Sequence, residues 1–136
     1  MTNMRSQDYD PSALGDVDRV DALRIDPTVR VQSIGDFVRS GLIGLPVQIT
    51  GSDAQKIAEL WRALRPAEQA RCHIPPYGLR FWNGSAMIVE CSLCWECNNA
   101  FGFVGEEPCG FTFDANALPA AALLMQLRNV FTTGGA

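Results

Sequence analysis

The strongest constraint on the fold is an Asn83-Gly84 pair between two stretches that have the pattern of β-strands. An Asn-Gly pair favours a two-residue hairpin turn, because both central residues of that turn need a positive φ. The sequence therefore predicts a central antiparallel hairpin over residues 78–97, with Asn83 and Gly84 as its structural turn. In the second strand, Glu90 and Glu96 share a face that we expect to be exposed. The other face is wholly apolar and should meet the core: Met87, Val89, Cys91, Leu93 and Trp95.

Two other stretches have the spacing of amphipathic helices. Between residues 53 and 65, apolar side chains recur at i, i+3, i+4 and i+7, and Ser52 is the predicted N-cap. A second apolar stripe predicts a helix from Leu118 or Pro119 to residue 131. Alternating apolar residues predict further strands and a second hairpin at residues 20–25, 45–49 and 101–113.

The length and composition are those of one domain. The chain has 136 residues, of which 47% are hydrophobic and 19% are charged, and a chain of this size buries roughly 70% of its unfolded surface. We predict a single α+β domain over residues 20–132, in which an antiparallel β-sheet with a central hairpin packs against two helices. Residues 1–19 are polar and acidic and are predicted to form a flexible arm, and residues 133–136 a loose tail.

Charge and hydropathy exclude several classes of partner. The net charge is −4, which argues against a nucleic-acid binder held by a basic surface. No stretch approaches the roughly 20 apolar residues of a membrane helix, and the first residues lack the apolar run of a secretory signal. We therefore predict a cytoplasmic protein with no nucleic-acid or membrane partner, and we expect a protein partner with a basic surface.

All five cysteines and the only histidine lie between residues 72 and 109. When the hairpin register is extended away from the turn, His73 falls opposite Cys94, and a bend after this strand would bring Cys97 to the same end. Structural zinc sites use four Cys or His ligands. One set of four is available here, so a single zinc ion is one interpretation: Cys72, His73, Cys94 and Cys97.

Two other uses of these thiols stay open. Cys72 could form a disulfide with Cys94 or with Cys97, in a redox role or a structural one, although the strand-to-helix context of a thioredoxin motif is absent. Alternatively, the thiols are reduced and fill space. Cys91 lies on the apolar strand face and is interpreted as a small buried hydrophobe, whereas Cys109 receives no role.

Two stretches carry a recognisable pattern: Cys72-His-Ile-Pro-Pro-Tyr-Gly78 and Leu93-Cys-Trp-Glu-Cys97. They resemble the pattern shared by a widespread group of small bacterial proteins with no established activity, which is roughly Cys-aromatic-x-Pro-Arg-His-Gly, a β-hairpin, and Ile-Cys-Phe-Glu-Cys. Here Pro76-Tyr77 replaces the Arg-His pair, and a histidine stands at position 73. The resemblance covers about half of the chain. It implies that Cys72, Cys94 and Cys97 act as one cluster.

The sequence contains no catalytic pair, phosphate-binding loop or nucleophile elbow. Small size and negative charge favour a non-enzymatic binding or accessory module with a structural cysteine cluster, such as an immunity-type protein that blocks a basic partner. The alternative is a thiol-dependent redox or metal-handling protein that uses Cys94 and Cys97.

Overall fold

The computed structural model describes residues 9–68 and 72–133 of the chain. Within these ranges the protein forms a six-stranded antiparallel sheet with the strand order β2-β1-β3-β4-β5-β6. The strands are β1 (Arg19–Ile25), β2 (Leu42–Thr50), β3 (Tyr77–Asn83), β4 (Ala86–Cys94), β5 (Asn99–Val104) and β6 (Glu107–Thr112). The helices are α1 (Phe37–Ser40), α2 (Gly51–Arg62) and α3 (Leu118–Thr133). This architecture confirms the predicted α+β fold, and no helix in these ranges is long and apolar enough to cross a membrane.

Helices α2 and α3 pack on one face of the sheet and form the main core with it. Trp61 of α2 is fully buried, and its ring centroid lies 4.8 Å from that of Phe81 and 5.2 Å from that of Phe111. Leu123 and Leu127 of α3 are also fully buried. The spacing of these helical residues places them on one side of each helix, as the apolar stripes predicted. Three residues of the predicted apolar face of β4 lie in the same core: Val89, Cys91 and Leu93.

The opposite face of the sheet is also covered, which the sequence pattern did not predict. Helix α1, preceded by a 3-10 turn at Ile34–Asp36, packs Val38 against Leu23 and Phe103. Glu90 lies under this cover, and only 3% of its side chain is exposed. The prediction that Glu90 faces solvent is therefore wrong, because a short segment distant in sequence closes over it. Glu96 is exposed, as expected.

The turn of the central hairpin differs by one residue from the prediction. Gly84 has a positive φ of 60°, but the turn consists of Gly84 and Ser85, and Asn83 pairs with Ala86 at the end of the ladder. A bulge between Phe81 and Trp82 shifts the register further. As a result, Tyr77 rather than Ile74 lies opposite Leu93, and β3 begins after the segment that contains His73. The register that placed His73 opposite Cys94 is thus wrong.

The stretch before β1 is packed against the domain where residues 9–18 were expected to form part of a flexible arm. Leu14 and Val17 are buried in the main core, and the Asp18 N–H donates to the carbonyl of Trp82 at 2.9 Å. Arg62 of α2 donates from Nε to the carbonyl of Leu14 at 2.9 Å. The burial of Leu14 and Val17 was not predicted, because two isolated apolar residues in a polar stretch form no periodic pattern. Residues 1–8 of the arm and residues 134–136 of the tail lie outside the described residues.

Candidate functional site

A disulfide bond joins Cys72, in the loop before β3, to Cys97, in the turn between β4 and β5. Their Cα atoms are 5.5 Å apart, and 25 positions separate them in sequence. Asn98 completes the turn with a φ of 56°, a left-handed conformation that asparagine tolerates better than most residues. Cys97 is fully buried, whereas Cys72 is exposed. Of the two disulfide partners that the sequence left open for Cys72, the structure has Cys97.

The zinc site expected at Cys72, His73, Cys94 and Cys97 is wrong. In residues 9–68 and 72–133, no group of three or more His, Cys, Asp or Glu side chains is placed to hold a metal ion. Two of the expected ligands are bonded to each other, and a disulfide sulphur is not the thiolate that binds zinc. The histidine uses both ring nitrogens in hydrogen bonds to other side chains.

A third cysteine, Cys94, lies next to the buried half of the disulfide. The backbone N–H of Cys97 donates to Cys94 Sγ at 3.2 Å, which closes the Cys-x-x-Cys turn. Cys94 is a free thiol and is fully buried. The structure thus brings Cys72, Cys94 and Cys97 together, with one residue exposed to solvent and two fully buried. A free thiol beside a disulfide allows exchange within the chain, without a thiol from another molecule.

The loop that carries Cys72 is also held by a chain of hydrogen bonds through His73. His73 Nδ1 lies 2.7 Å from Asn99 Oδ1, and His73 Nε2 lies 2.7 Å from Ser92 Oγ. The Asn99 amide nitrogen donates to the carbonyl of Cys72 at 2.7 Å, so the Asn99 oxygen is the group that faces the histidine. This assigns a proton to Nδ1, and the single hydrogen of the Ser92 hydroxyl has two acceptors within reach, His73 Nε2 at 2.7 Å and the Phe101 carbonyl at 3.2 Å.

His73 is held in its neutral form by its surroundings. Its ring lies edge-on to Phe37 and Phe101, with centroid distances of 5.7 Å and 4.9 Å. Burial lowers the pKa of His73 from 6.5 to about 4, and the hydrogen bond to Asn99 opposes this shift only partly. At neutral pH the imidazole is therefore uncharged, which matches the hydrogen-bond pattern around it.

The Ser92, His73 and Asn99 side chains have the hydrogen-bond order of a nucleophile, a base and an orienting group. Ser92 is fully buried, and its hydroxyl also lies 3.2 Å from the carbonyl of Phe101. A nucleophile must be reachable by its substrate, so this arrangement positions the loop and does not form an exposed catalytic site. The sequence could not indicate it, because 19 and 26 positions separate His73 from its two partners.

The remaining two cysteines form a separate pair on the core face of the sheet. Cys91 Sγ lies 3.9 Å from Cys109 Sγ. Cys91 is fully buried in the core, as predicted, and Cys109 is half-buried. Sequence analysis missed this pair, because Cys109 comes from a strand that does not pair directly with the strand of Cys91.

Comparisons with protein-family models, with curated proteins and with solved structures found no match for this chain.

Proposed function

We propose that this protein takes part in thiol–disulfide exchange through the bond between Cys72 and Cys97. The observation that carries the proposal is the position of the free thiol Cys94 beside the buried half of a disulfide whose other half is exposed. Exchange proceeds by attack of a thiolate on an accessible disulfide sulphur. Cys72 is the sulphur that an external thiol reaches, since Cys97 is fully buried.

The electron balance of the reaction is that of a two-electron dithiol oxidation. A thiolate of a dithiol substrate attacks Cys72 Sγ, a mixed disulfide forms, and Cys97 leaves as a thiolate that takes a proton. The second thiolate of the substrate then attacks the substrate sulphur of the mixed disulfide and releases Cys72. The substrate leaves with a disulfide, and the protein retains two reduced thiols, at Cys72 and Cys97.

Cys94 adds an internal exchange to this scheme. Its thiolate can attack Cys97 Sγ, which forms a Cys94–Cys97 bond and releases Cys72 as an exposed thiolate. No external oxidant or reductant is consumed, because one disulfide replaces another. The exchange would leave Cys72 as a nucleophilic thiolate at the surface and a Cys94–Cys97 disulfide in the turn.

A cytoplasmic location, which we also propose, is consistent with this role. Cytosolic thiols are kept reduced, so a disulfide in that compartment is usually transient and catalytic or redox-sensing. A permanent structural bond would instead favour an oxidising compartment.

The test measures how readily the native disulfide opens. The folded protein is equilibrated in glutathione buffers of defined potential, its free thiols are trapped with N-ethylmaleimide, and the modified cysteines are mapped by mass spectrometry. We expect half-reduction of the Cys72–Cys97 bond at about −200 to −260 mV, near the glutathione couple. A bond that stays closed below about −300 mV would be structural and would overturn the proposal.

The internal exchange has its own test. Oxidised protein is incubated with N-ethylmaleimide alone, and we expect slow labelling of Cys72 together with a Cys94–Cys97 disulfide. Cys94→Ser should abolish this labelling. Cys91→Ser, which replaces a buried thiol outside the site, should leave it unchanged. Equal labelling of Cys72 in the Cys94→Ser variant would contradict the role of Cys94.

The second candidate function is a non-enzymatic binding module for a basic protein partner, in which the disulfide only supports the fold. The observation that favours it is the set of hydrogen bonds that fasten the same loop, one from Asn99 to the carbonyl of Cys72 and one between His73 and Ser92. In that case binding would be equal in the oxidised and reduced proteins, and a closed disulfide below about −300 mV would support it.

A further inference from the structure

Cys91 and Cys109 form a second thiol pair, which takes no part in the proposed exchange. Cys91 of β4 and Cys109 of β6 both pair with Gly102 of the intervening strand β5. Because Gly102 has no side chain, nothing stands between the two sulphurs, and a Cβ at this position would overlap the backbone of Glu90. The two thiols therefore meet across a strand, at 3.9 Å.

These two cysteines cannot form a disulfide in the folded sheet. Two strands that flank a third are separated by about 9 to 10 Å, which is twice the normal spacing. A disulfide requires Cα atoms within about 7 Å. Any disulfide that either cysteine forms in the native protein must therefore involve a sulphur from another molecule.

The two thiols differ in accessibility and in ionisation. The hydrogen bond from Cys91 lowers the pKa of Cys109, a backbone hydrogen bond from Gly102 adds to this effect, and burial opposes it. Burial raises the pKa of Cys91, which keeps it as the S–H donor. Cys109 is half-buried on the edge strand β6, whereas Cys91 is enclosed in the core.

The charge near Cys109 selects among small disulfides. Glu107 is exposed and lies two positions before Cys109 on the same face of β6, which corresponds to about 7 Å along the strand. The Glu107 carboxylate attracts a cationic reagent and repels an anionic one.

We propose that Cys109 is a thiolation site for small cationic disulfides, with Cys91 as the hydrogen-bond donor that positions and supports its thiolate. The Cys109 thiolate attacks one sulphur of the disulfide, a mixed disulfide with Cys109 forms, and the other half leaves as a thiolate that takes a proton from water. Cys91 stays reduced throughout, because β5 separates the two strands.

The test uses the full-length protein with its Cys72–Cys97 bond intact. Cystamine, which is dicationic, and dithiodipropionate, which is dianionic, are added separately, and adducts are followed by intact mass and peptide mapping. We expect one fast adduct, on Cys109, and any adduct on Cys72 should form more slowly, at the rate of the internal exchange with Cys94. We also expect cystamine to be favoured by at least about threefold, after normalisation to the rates of free cysteine, as one carboxylate at this distance in water implies. An adduct on Cys94 instead, or no adduct, would overturn the proposal.

Variants separate the positioning role from a structural one. Cys109→Ser should abolish the adduct, and Cys91→Ala should slow it several-fold, whereas Cys91→Ser retains a donor and should restore most of the rate. Glu107→Gln should reduce the preference for cystamine, and Glu59→Gln on α2 is the matched control. An unchanged rate in Cys91→Ala, or an unchanged preference in Glu107→Gln, would contradict the proposal even if another variant fails to fold.

Discussion

At the scale of single residues, the buried Glu90 and the half-buried His73 connect the second face of the sheet to the segments that cover it. Glu90 accepts from Arg39 Nε at 2.7 Å and from Arg80 Nε at 3.0 Å, and Arg80 also donates to the carbonyl of Val38 in α1 at 3.1 Å. His73 fills the neighbouring site between aromatic rings. Buried polar groups of this kind stabilise a structure only when they are fully paired.

The titration of His73 should make the free energy of unfolding depend on pH. Because the folded pKa of about 4 lies below the unfolded value of 6.5, the unfolded chain binds the proton more tightly. The stability that neutral His73 contributes is complete above the unfolded value and is lost as the pH falls towards 4. We expect the free energy of unfolding to decrease by about 1.5 kcal/mol between pH 7 and about pH 5 from this group.

Urea unfolding at these two pH values measures the change in the free energy of unfolding. In the His73→Gln variant this contribution to the pH dependence should be absent. Since the chain has one histidine, its imidazole resonances can be followed by NMR without assignment. A midpoint near 6.5 in the folded protein would show that the ring is solvated and would contradict the burial.

Removal of the Glu90 charge should lower the free energy of unfolding. Glu90→Gln leaves Arg39 and Arg80 without their carboxylate, and we expect a loss of about 3 kcal/mol in the free energy of unfolding. Glu96→Gln is the matched control on an exposed position and should change it by less than about 0.5 kcal/mol. Equal urea midpoints for the two variants would mean that the ion pairs do not support the second face.

At the scale of elements, strand β5 is approached closely on both of its faces at Gly102. On the core face the thiols of Cys91 and Cys109 meet across it. On the other face the 3-10 turn comes so near that a Cβ on Gly35 would lie 3.3 Å from the Gly102 carbonyl oxygen. The absence of a side chain on β5 therefore allows packing on both sides.

A methyl group at this position should break that packing. Gly102→Ala would place a Cβ against the backbone of Glu90 and Cys91, and we expect a loss of about 3 kcal/mol or more in the free energy of unfolding. Gly15→Ala adds the same methyl group where nothing lies within 4 Å, so it is the control. The prediction fails if both variants unfold at the same urea concentration.

At the scale of the whole molecule, the Cys72–Cys97 bond connects the loop before β3 to the turn after β4 and spans the central hairpin. It closes a loop of 25 positions in sequence. In the chain-entropy account, such a link stabilises a fold mainly by restricting the unfolded chain.

Loss of this link should lower the stability of the whole domain. We expect the Cys72→Ser/Cys97→Ser double variant to unfold with a free energy about 3 kcal/mol lower than that of the oxidised protein. Cys109→Ser, which removes a free thiol outside the bond, is the control for loss of a cysteine. An unchanged melting temperature in the double variant, measured by circular dichroism, would mean that the hydrogen bonds of His73 and Asn99 hold the loop alone.

The elements of this protein were predictable because their signals are local. Two hairpins, the α2 and α3 helices and the core face of β4 follow from alternation, helical stripes and turn residues, each within about twenty positions of sequence. The turn of the central hairpin was misplaced by one residue, because asparagine can occupy the last strand position as well as the turn. The bulge at Phe81 then added to the error in register.

The sequence by itself determined the fold class and the core face of the central strand, since periodicity expresses what each residue prefers to contact. Only the tertiary structure decided which residues meet across long separations. Arg39 and Glu90 are 51 positions apart, and His73 and Asn99 are 26 positions apart. Such contacts depend on strand order and on a short segment that closes over the second face. These long-range contacts made Cys97 the partner of Cys72 and left Cys94 as the free thiol beside it.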